Sequence, residues 1–317
     1  MADGLDGNEG VALSGLDRTS AGLPARKARR TFGGFLWRAP WLRAVLLLAP
    51  PVAWFALIYL AALVYLFVSA FWQVNPFTSE IERIWNVHNF TTIFSSGAYR
   101  AIALRTVGIA AATTLTDAVL AFPFAYYMAR VAAPRKRAVL FVLVLLPLWS
   151  SYLVRVYAWR QILDHDGVLN WSLEKLGLPA ANIAYTNTAV WLVFSYVWLP
   201  FMILPVYAAL ERIPESMFEA SADLGARAWS TVRRIVIPLA LPGLVAGSIF
   251  TFSLTLGDYI TPTLVGGASS QFIGNVVFSS VGIANNIPFA AAFATVPLVI
   301  MGVYLVVARR LGAFEAL

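Results

Sequence analysis

The residues best suited to chemistry lie in one charged segment between two apolar stretches. Between Glu211 and Arg234 the chain holds four carboxylates and four arginines. Glu215, Glu219 and Asp223 recur every four residues, which places them on one face of a helix. A charged segment enclosed by apolar ones needs water or a soluble partner, so this pattern indicates a contact surface.

Local signals predict the shape of this segment. Ser216 and Glu219 have the spacing of a capping box, and Gly225 tolerates the left-handed backbone that ends a helix. A second short helix is expected from near Ser230 to Pro238. The sequence therefore predicts a helix, a sharp turn and a second helix across one membrane face, although a solvated amphipathic loop without a partner would show the same pattern.

Two carboxylates interrupt stretches that are otherwise apolar, where ionisable side chains usually face the bundle interior or water. Asp117 would either pair with a hydroxyl or amide of a neighbouring helix or line a water-filled path. Asp258, beside Tyr259, is placed to meet a cationic solute near the outer end of its span. The rings of Tyr152 and Trp198 would face a desolvated ammonium or, alternatively, form an interfacial belt. These five residues are the candidate translocation path.

The apolar background of these residues is that of an integral membrane protein. Hydrophobic residues make up 60% of the 317 and charged residues 12%, whereas charged residues average about 25% in soluble proteins. Six stretches reach the roughly 20 apolar residues that a membrane helix needs, and none alternates like a barrel strand. We therefore predict an all-α membrane protein with six transmembrane helices, near 43–72, 101–130, 138–160, 188–210, 239–261 and 289–308.

The distribution of positive charge predicts the orientation of the chain. Its net charge is +7, and most Lys and Arg residues fall where a cytoplasmic N-terminus would place the inner side, as cytoplasmic loops require. The charge is thus a topology signal, and nucleic-acid binding is disfavoured. The predicted order is a cytoplasmic tail at 1–35, the first transmembrane helix and an outer loop at 36–100, a five-helix permease core at 101–310 with the charged loop at 211–238, and a cytoplasmic tail at 311–317.

Several classes of chemistry find no support in the residues present. The chain has no cysteine, which excludes disulfides and thiolate catalysis. His88 and His165 are its only histidines, they fall in predicted outer loops, and no paired-histidine metal motif occurs. None of the lysines follows a Gly-rich phosphate-binding loop. We therefore predict no catalytic residue, no metal and no ATP bound by this chain, and an intramembrane enzyme is disfavoured.

The charged segment also resembles a family signature. It reads Glu219-Ala220-Ser221, then Gly225, then Ile235, then Ile237-Pro238, with the order and spacing found in permease subunits of binding-protein-dependent ABC importers. Further phrases resemble the spermidine/putrescine branch, and within it the permease protein B; they lie at 151–155, 157–159, 162–170, 257–262 and 266–267. One departure lies at 287–290, where that branch often carries a Trp-Pro-Gly type sequence.

This resemblance implies a type I ABC importer permease with a cytoplasmic coupling helix. The coupling helix would seat in a groove of an ATP-binding subunit, with Glu219 mainly capping it and Leu224 among the contact residues. The residues assigned to coupling are Glu219, Ala220, Ser221, Asp223, Leu224, Gly225, Ile235 and Pro238.

The resemblance also implies partners and a location. These are two ATP-binding subunits that hold ATP and magnesium, a second, related permease subunit, a periplasmic solute-binding protein, and the lipid of a bacterial inner membrane. The expected solute is a polyamine moved by alternating access. The alternatives are another small organic solute in the same architecture and a secondary transporter that works without ATP, which would leave the charged loop unexplained.

Overall fold

The computed structural model describes residues 40–310, and the two predicted tails at 1–35 and 311–317 lie outside this range. The chain divides into two units, Met1–Ala62 and Leu63–Leu317. The described part of the first unit is helical. The second unit is a helical bundle with one two-stranded antiparallel ladder, in which Gln73 pairs with Glu82 and Val74 with Ile81.

The described chain consists almost entirely of helices, three of them short π-helical segments. In chain order the elements are α1 (Pro40–Phe55), π1 (Ala56–Leu60), α2 (Ala61–Ser69), β1 (Gln73–Val74), β2 (Ile81–Glu82), α3 (His88–Ser95), α4 (Gly97–Tyr126), π2 (Tyr127–Val131), α5 (Pro134–Trp149), α6 (Tyr152–Leu163), α7 (Val168–Lys175), α8 (Asn187–Glu211), α9 (Glu215–Asp223), α10 (Ala228–Thr231), π3 (Val232–Val236), α11 (Ile237–Gly257), α12 (Ile260–Val265), α13 (Ile273–Gly282) and α14 (Ile287–Arg310).

The helices confirm an all-α membrane protein. Five of them are long and apolar enough to cross a bilayer, and a sixth span results if one bent pair of helices counts as a single crossing. The five are Ala44–Ser69, Gly97–Val131, Asn187–Glu211, Ala228–Gly257 and Ile287–Arg310.

The third predicted span, 138–160, is wrong as one continuous helix. Helix α5 ends at Trp149, and a second helical segment begins at Tyr152. The two segments, Pro134–Trp149 and Tyr152–Lys175, are bent by 93° relative to each other. Pro147 lacks an amide proton and weakens the helical ladder there. The Ser150 side chain donates to the Pro147 carbonyl at 2.7 Å, and the backbone at Ser150 and Ser151 is extended.

The fifth predicted span, 239–261, and the separate short helix before it also need correction. The helix runs without interruption from Ala228 to Gly257, so the predicted second short helix is the beginning of this span. Pro238 cannot donate to the carbonyl four residues earlier, and the Ile237 amide instead reaches the Val232 carbonyl across a π turn. The wider π turn accommodates the proline without ending the helix.

Helix α8 is the central element of the second unit, packed against α4 and α11. Two glycines of α11 lie directly against it. A Cβ at Gly243 would lie 2.6 Å from the Pro205 carbonyl oxygen, and one at Gly247 would lie 2.6 Å from the Met202 sulfur. Small residues at this spacing let helix backbones approach closely, so the pair at 243 and 247 serves packing within the chain.

Candidate coupling surface and solute path

The predicted coupling helix is present as α9, but its capping box is not. The helix begins at Glu215, and its N-cap is Pro214, which makes no side-chain cap bond. Ser216 therefore lies inside the first turn, where its hydroxyl cannot take the N-cap position. The prediction that Glu219 mainly caps the helix is wrong, because that box requires Ser216 before the first helical residue.

The predicted stop at Gly225 is confirmed. Gly225 has a φ of +72°, a conformation that side chains with a Cβ rarely adopt. Its amide donates to the Ala222 carbonyl at 2.8 Å, and the Ala226 amide donates to the Ser221 carbonyl at 3.0 Å. Such bonds satisfy the free carbonyls at a helix C-terminus, so the chain turns sharply towards the fifth span.

The motif residues divide between an outward and an inward face. Leu224 is 87% exposed, and Glu219, Ala220 and Asp223 are exposed beside it. Ser221 is buried and its hydroxyl lies 2.7 Å from the Thr231 hydroxyl. The outward face thus exposes carboxylates and one large apolar side chain to water.

The remaining two coupling candidates lie further along, where π3 joins the fifth span. Ile235 is half-buried and Pro238 is exposed. Pro238 sets the π turn described above, so its effect is on the shape of the connection between the coupling helix and the span. Neither lies on the outward face of α9.

Three candidate path residues meet where the third span bends and the fifth span ends. The Tyr152 ring stacks on the Trp198 ring with centroids 5.6 Å apart and an angle of 14° between planes. The Tyr152 hydroxyl donates to Asp258 and lies 2.6 Å from the Thr261 hydroxyl. We call these four residues, Tyr152, Trp198, Asp258 and Thr261, the outer cluster. The candidate path contained the first three of them but not Thr261.

The Asp258 carboxylate is occupied by donors from the chain itself. Oδ1 accepts from the Ile260 amide at 2.7 Å and from the Thr261 amide at 3.3 Å. Oδ2 accepts from the Thr261 hydroxyl at 3.1 Å and from Tyr152. A carboxylate offers about four lone-pair sites, so all of them have a donor. Asp258 therefore joins α6 to the start of α12.

The other two path candidates lie apart from this pairing. Tyr259 follows Asp258 in the chain, but its ring stacks on Phe278 with centroids 4.5 Å apart. It borders a cavity of about 370 Å³ with a predominantly apolar lining. Asp117 lies midway along α4, fully buried, and among the described residues its oxygens have no hydrogen-bond partner. The alternative of a hydroxyl or amide partner within residues 40–310 is therefore wrong.

Beside the coupling helix lies one residue, Arg130, that the sequence indicated only as part of the positive charge that orients the chain. Arg130, at the end of the second span, contacts both the end of α8 and the coupling helix. The only sequence signal was an arginine at a helix end.

Within residues 40–310 no group of three or more His, Asp or Glu side chains is arranged to hold a metal.

The family model of the inner membrane component of binding-protein-dependent transport systems matches residues 41–313. The chain belongs to this family, and it is a multi-pass permease subunit of an ABC importer. It is 46% identical to the inner membrane ABC transporter permease protein YdcU of Escherichia coli over 307 residues, covering 93% of this chain and 97% of the relative. It is 33% identical to the spermidine/putrescine permease protein PotB of the same organism over 235 residues, covering 73% and 84%.

Solved structures support the architecture. A bacterial ABC transporter that imports the acidic polysaccharide alginate aligns with a TM-score of 0.70 at 20% identity, covering 88% of this chain and 99% of that chain. The same transporter with an alginate-bound periplasmic protein also aligns, with a TM-score of 0.70 at 19% identity and coverages of 87% and 96%. The fold is therefore that of a type I ABC importer permease.

Proposed function

We propose that this chain is the permease subunit of an importer for polyamines, small aliphatic cations of the spermidine and putrescine kind. The observation that carries this proposal is the 33% identity to a spermidine/putrescine permease over 73% of the chain. The phrases at 151–155 and 257–262, which resemble the spermidine/putrescine branch, contain Tyr152, Asp258 and Thr261 of the outer cluster. A second, related permease subunit completes the pathway.

In this proposal the solute moves by alternating access, driven by two ATP-binding subunits that hold ATP and magnesium. A periplasmic binding protein delivers the solute, and both termini lie in the cytoplasm. Helix α9 seats in an ATP-binding subunit, and burial of Leu224 in that contact supplies hydrophobic stabilisation of about 2 kcal/mol. This accounts for an apolar side chain held in water at the tip of a charged helix.

At the outer end, the Tyr152 ring, which stacks on the buried Trp198 ring, would offer the aromatic surface. Ring faces attract ammonium groups within about 6 Å. Asp258 would contribute its charge from a distance, since its lone pairs are taken by Tyr152, Thr261 and two amides. Direct pairing of Asp258 with a solute ammonium would require these bonds to break.

The test is uptake by the complete importer in proteoliposomes, with its binding protein, both permease subunits and both ATP-binding subunits. Labelled putrescine and spermidine should accumulate only with ATP inside, and unlabelled polyamines should compete. Failure of both polyamines to enter or compete, while another solute is taken up, would overturn the solute assignment. Accumulation without ATP would contradict an ABC mechanism and favour a secondary transporter.

A different small organic solute is the second candidate. The 46% identity is to a permease whose name states no solute, and the cavity beside Tyr259 has a mostly apolar lining without a carboxylate. Competition in the same assay by uncharged organic solutes of similar size separates the two candidates. Inhibition by these solutes alone would favour this alternative.

A further inference from the structure

Arg130 lies where the second span, the fourth span and the coupling helix meet. It belongs to π2, the last turn of the second span, and its side chain is only 14% exposed. A charged side chain so nearly buried requires several partners. The partners that it has lie on two other elements.

The first set of partners lies at the C-terminal end of α8 and just beyond it. The Arg130 guanidinium donates to the Leu210 carbonyl at 2.6 Å and to the Ile213 carbonyl. The last carbonyls of a helix have no amide partner within the helix, and the helix dipole makes this end negative. One terminal nitrogen of the guanidinium donates to both carbonyls while the other faces Glu215, and the single ammonium of a lysine cannot reach both sides in this way.

The second set of partners belongs to the coupling helix. Arg130 pairs with Glu215, the first residue of α9, at 3.4 Å. The guanidinium carbon also lies 4.7 Å from the centre of the Phe218 ring, one turn further on. Both residues precede the outward motif face, so they position the helix without belonging to the surface proposed for the ATP-binding subunit.

We propose that Arg130 is a positioning residue that clamps the coupling helix to the second and fourth spans. A push on α9 then moves these spans, because the N-terminal turn of α9 cannot tilt independently of them. The inference rests on the coupling role of α9 in the proposed function. The clamp adds to that role the contact through which a movement of α9 reaches the second and fourth spans.

Arg137 provides a matched control at the same end of the bundle. It donates to the Ala129 carbonyl at 3.0 Å and pairs with Glu211 at 3.6 Å. It therefore links the second, third and fourth spans, as Arg130 does in part. Among the described contacts, however, it has none with α9.

The experiment compares Arg130→Gln, Arg130→Lys and Arg137→Gln in the complete importer. Arg130→Gln should reduce solute transported per ATP hydrolysed at least fivefold while the ATP-binding subunits stay bound. Arg130→Lys should recover part of the ratio, and Arg137→Gln should stay within twofold of wild type. An unchanged ratio in Arg130→Gln, or an equal loss in Arg137→Gln, would overturn the clamp.

A distance measurement makes the test independent of the solute. The chain has no cysteine, so with any cysteine of the other subunits replaced, spin labels on Val131→Cys and Ser216→Cys report only the distance between the second span and α9. The distribution should stay narrow with and without ATP, and broaden at least twofold in Arg130→Gln. If that variant fails to assemble, the pair Glu215→Gln and Phe218→Leu removes only the α9 contacts and should broaden it equally.

The two readouts separate this proposal from the proposed function. A wild-type importer that moves no polyamine would refute the solute assignment, and the label distances would still test the clamp. Normal polyamine uptake with an unchanged distance distribution in both variants would refute the clamp alone.

Discussion

The outer cluster and the coupling helix are both built on sharp breaks in the helical chain, but their polar groups are used differently. At the outer cluster the Asp258 carboxylate is filled by Tyr152, Thr261 and two amides. On α9, carboxylates and Leu224 face outwards. A polar group satisfied within its own chain holds that chain together, whereas an exposed mixed surface is available to a partner. The difference favours a structural role for Asp258 and supports the proposal that Leu224 contacts a partner.

A charge placed on the outward face of α9 should have the largest effect on assembly. Leu224→Asp should lower the affinity for the ATP-binding subunits at least 100-fold, because an unpaired carboxylate buried in the contact costs several kcal/mol. Leu224→Met should be tolerated, since it keeps the apolar surface. Co-purification and uptake measure the effect. Full assembly of Leu224→Asp would mean that this side chain stays in water.

In the turn after α9, the backbone conformation rather than the size of the side chain should limit which residues can replace Gly225. No atom lies within 4 Å of a Cβ built on Gly225, but its φ is +72°. Gly225→Val should therefore reduce uptake about tenfold, since β-branched residues resist this conformation, with insertion into the membrane preserved. Gly225→Asn, which adopts it more readily, should retain most uptake. Equal loss in both variants would contradict a conformational cause.

At the outer cluster the expected loss is one of stability. Asp258→Asn should weaken the bonds to Tyr152 and the two amides, at about 1–3 kcal/mol, and lower the melting temperature by several degrees. Tyr152→Phe should cost less, and the double variant should be less than additive because the two share a bond. Unchanged melting with selectively reduced affinity for cations would instead favour direct solute binding by Asp258.

The smallest expected effect concerns the inward face of α9. Ser221→Ala removes a hydroxyl that lies 2.7 Å from the Thr231 hydroxyl, a bond worth about 1 kcal/mol. Uptake should fall no more than twofold, since the smaller alanine fits the site. A loss as large as that of Leu224→Asp would place Ser221 in the partner contact.

The sequence was most predictive where one residue decides a local conformation. Gly225 predicted the turn that ends α9. Proline did not predict whether a helix ends. The helix that contains Pro147 ends two residues later, whereas the helix that contains Pro238 continues through a π turn. Contacts with neighbouring elements decide between these two outcomes. These outcomes explain why the third and fifth spans differ from their predicted bounds.

Contacts between distant segments could not be predicted from the residues. Arg130 meets carbonyls about 80 positions later, and Tyr152 meets an aspartate 106 positions later. A basic residue at a helix end predicts the orientation of a span, but not which carbonyls lie beside it. The candidate list therefore contained Tyr152 and Asp258 without their bond, and omitted Arg130.

Hydrogen exchange tests the contrast between the two regions most directly. The permease subunits in lipid nanodiscs would be measured before and after the ATP-binding subunits are added. We predict that exchange across 215–231 slows at least tenfold, while exchange across 258–265 stays unchanged. Unchanged exchange at 215–231, or equal protection of both segments, would contradict the assignment of α9 as the partner contact.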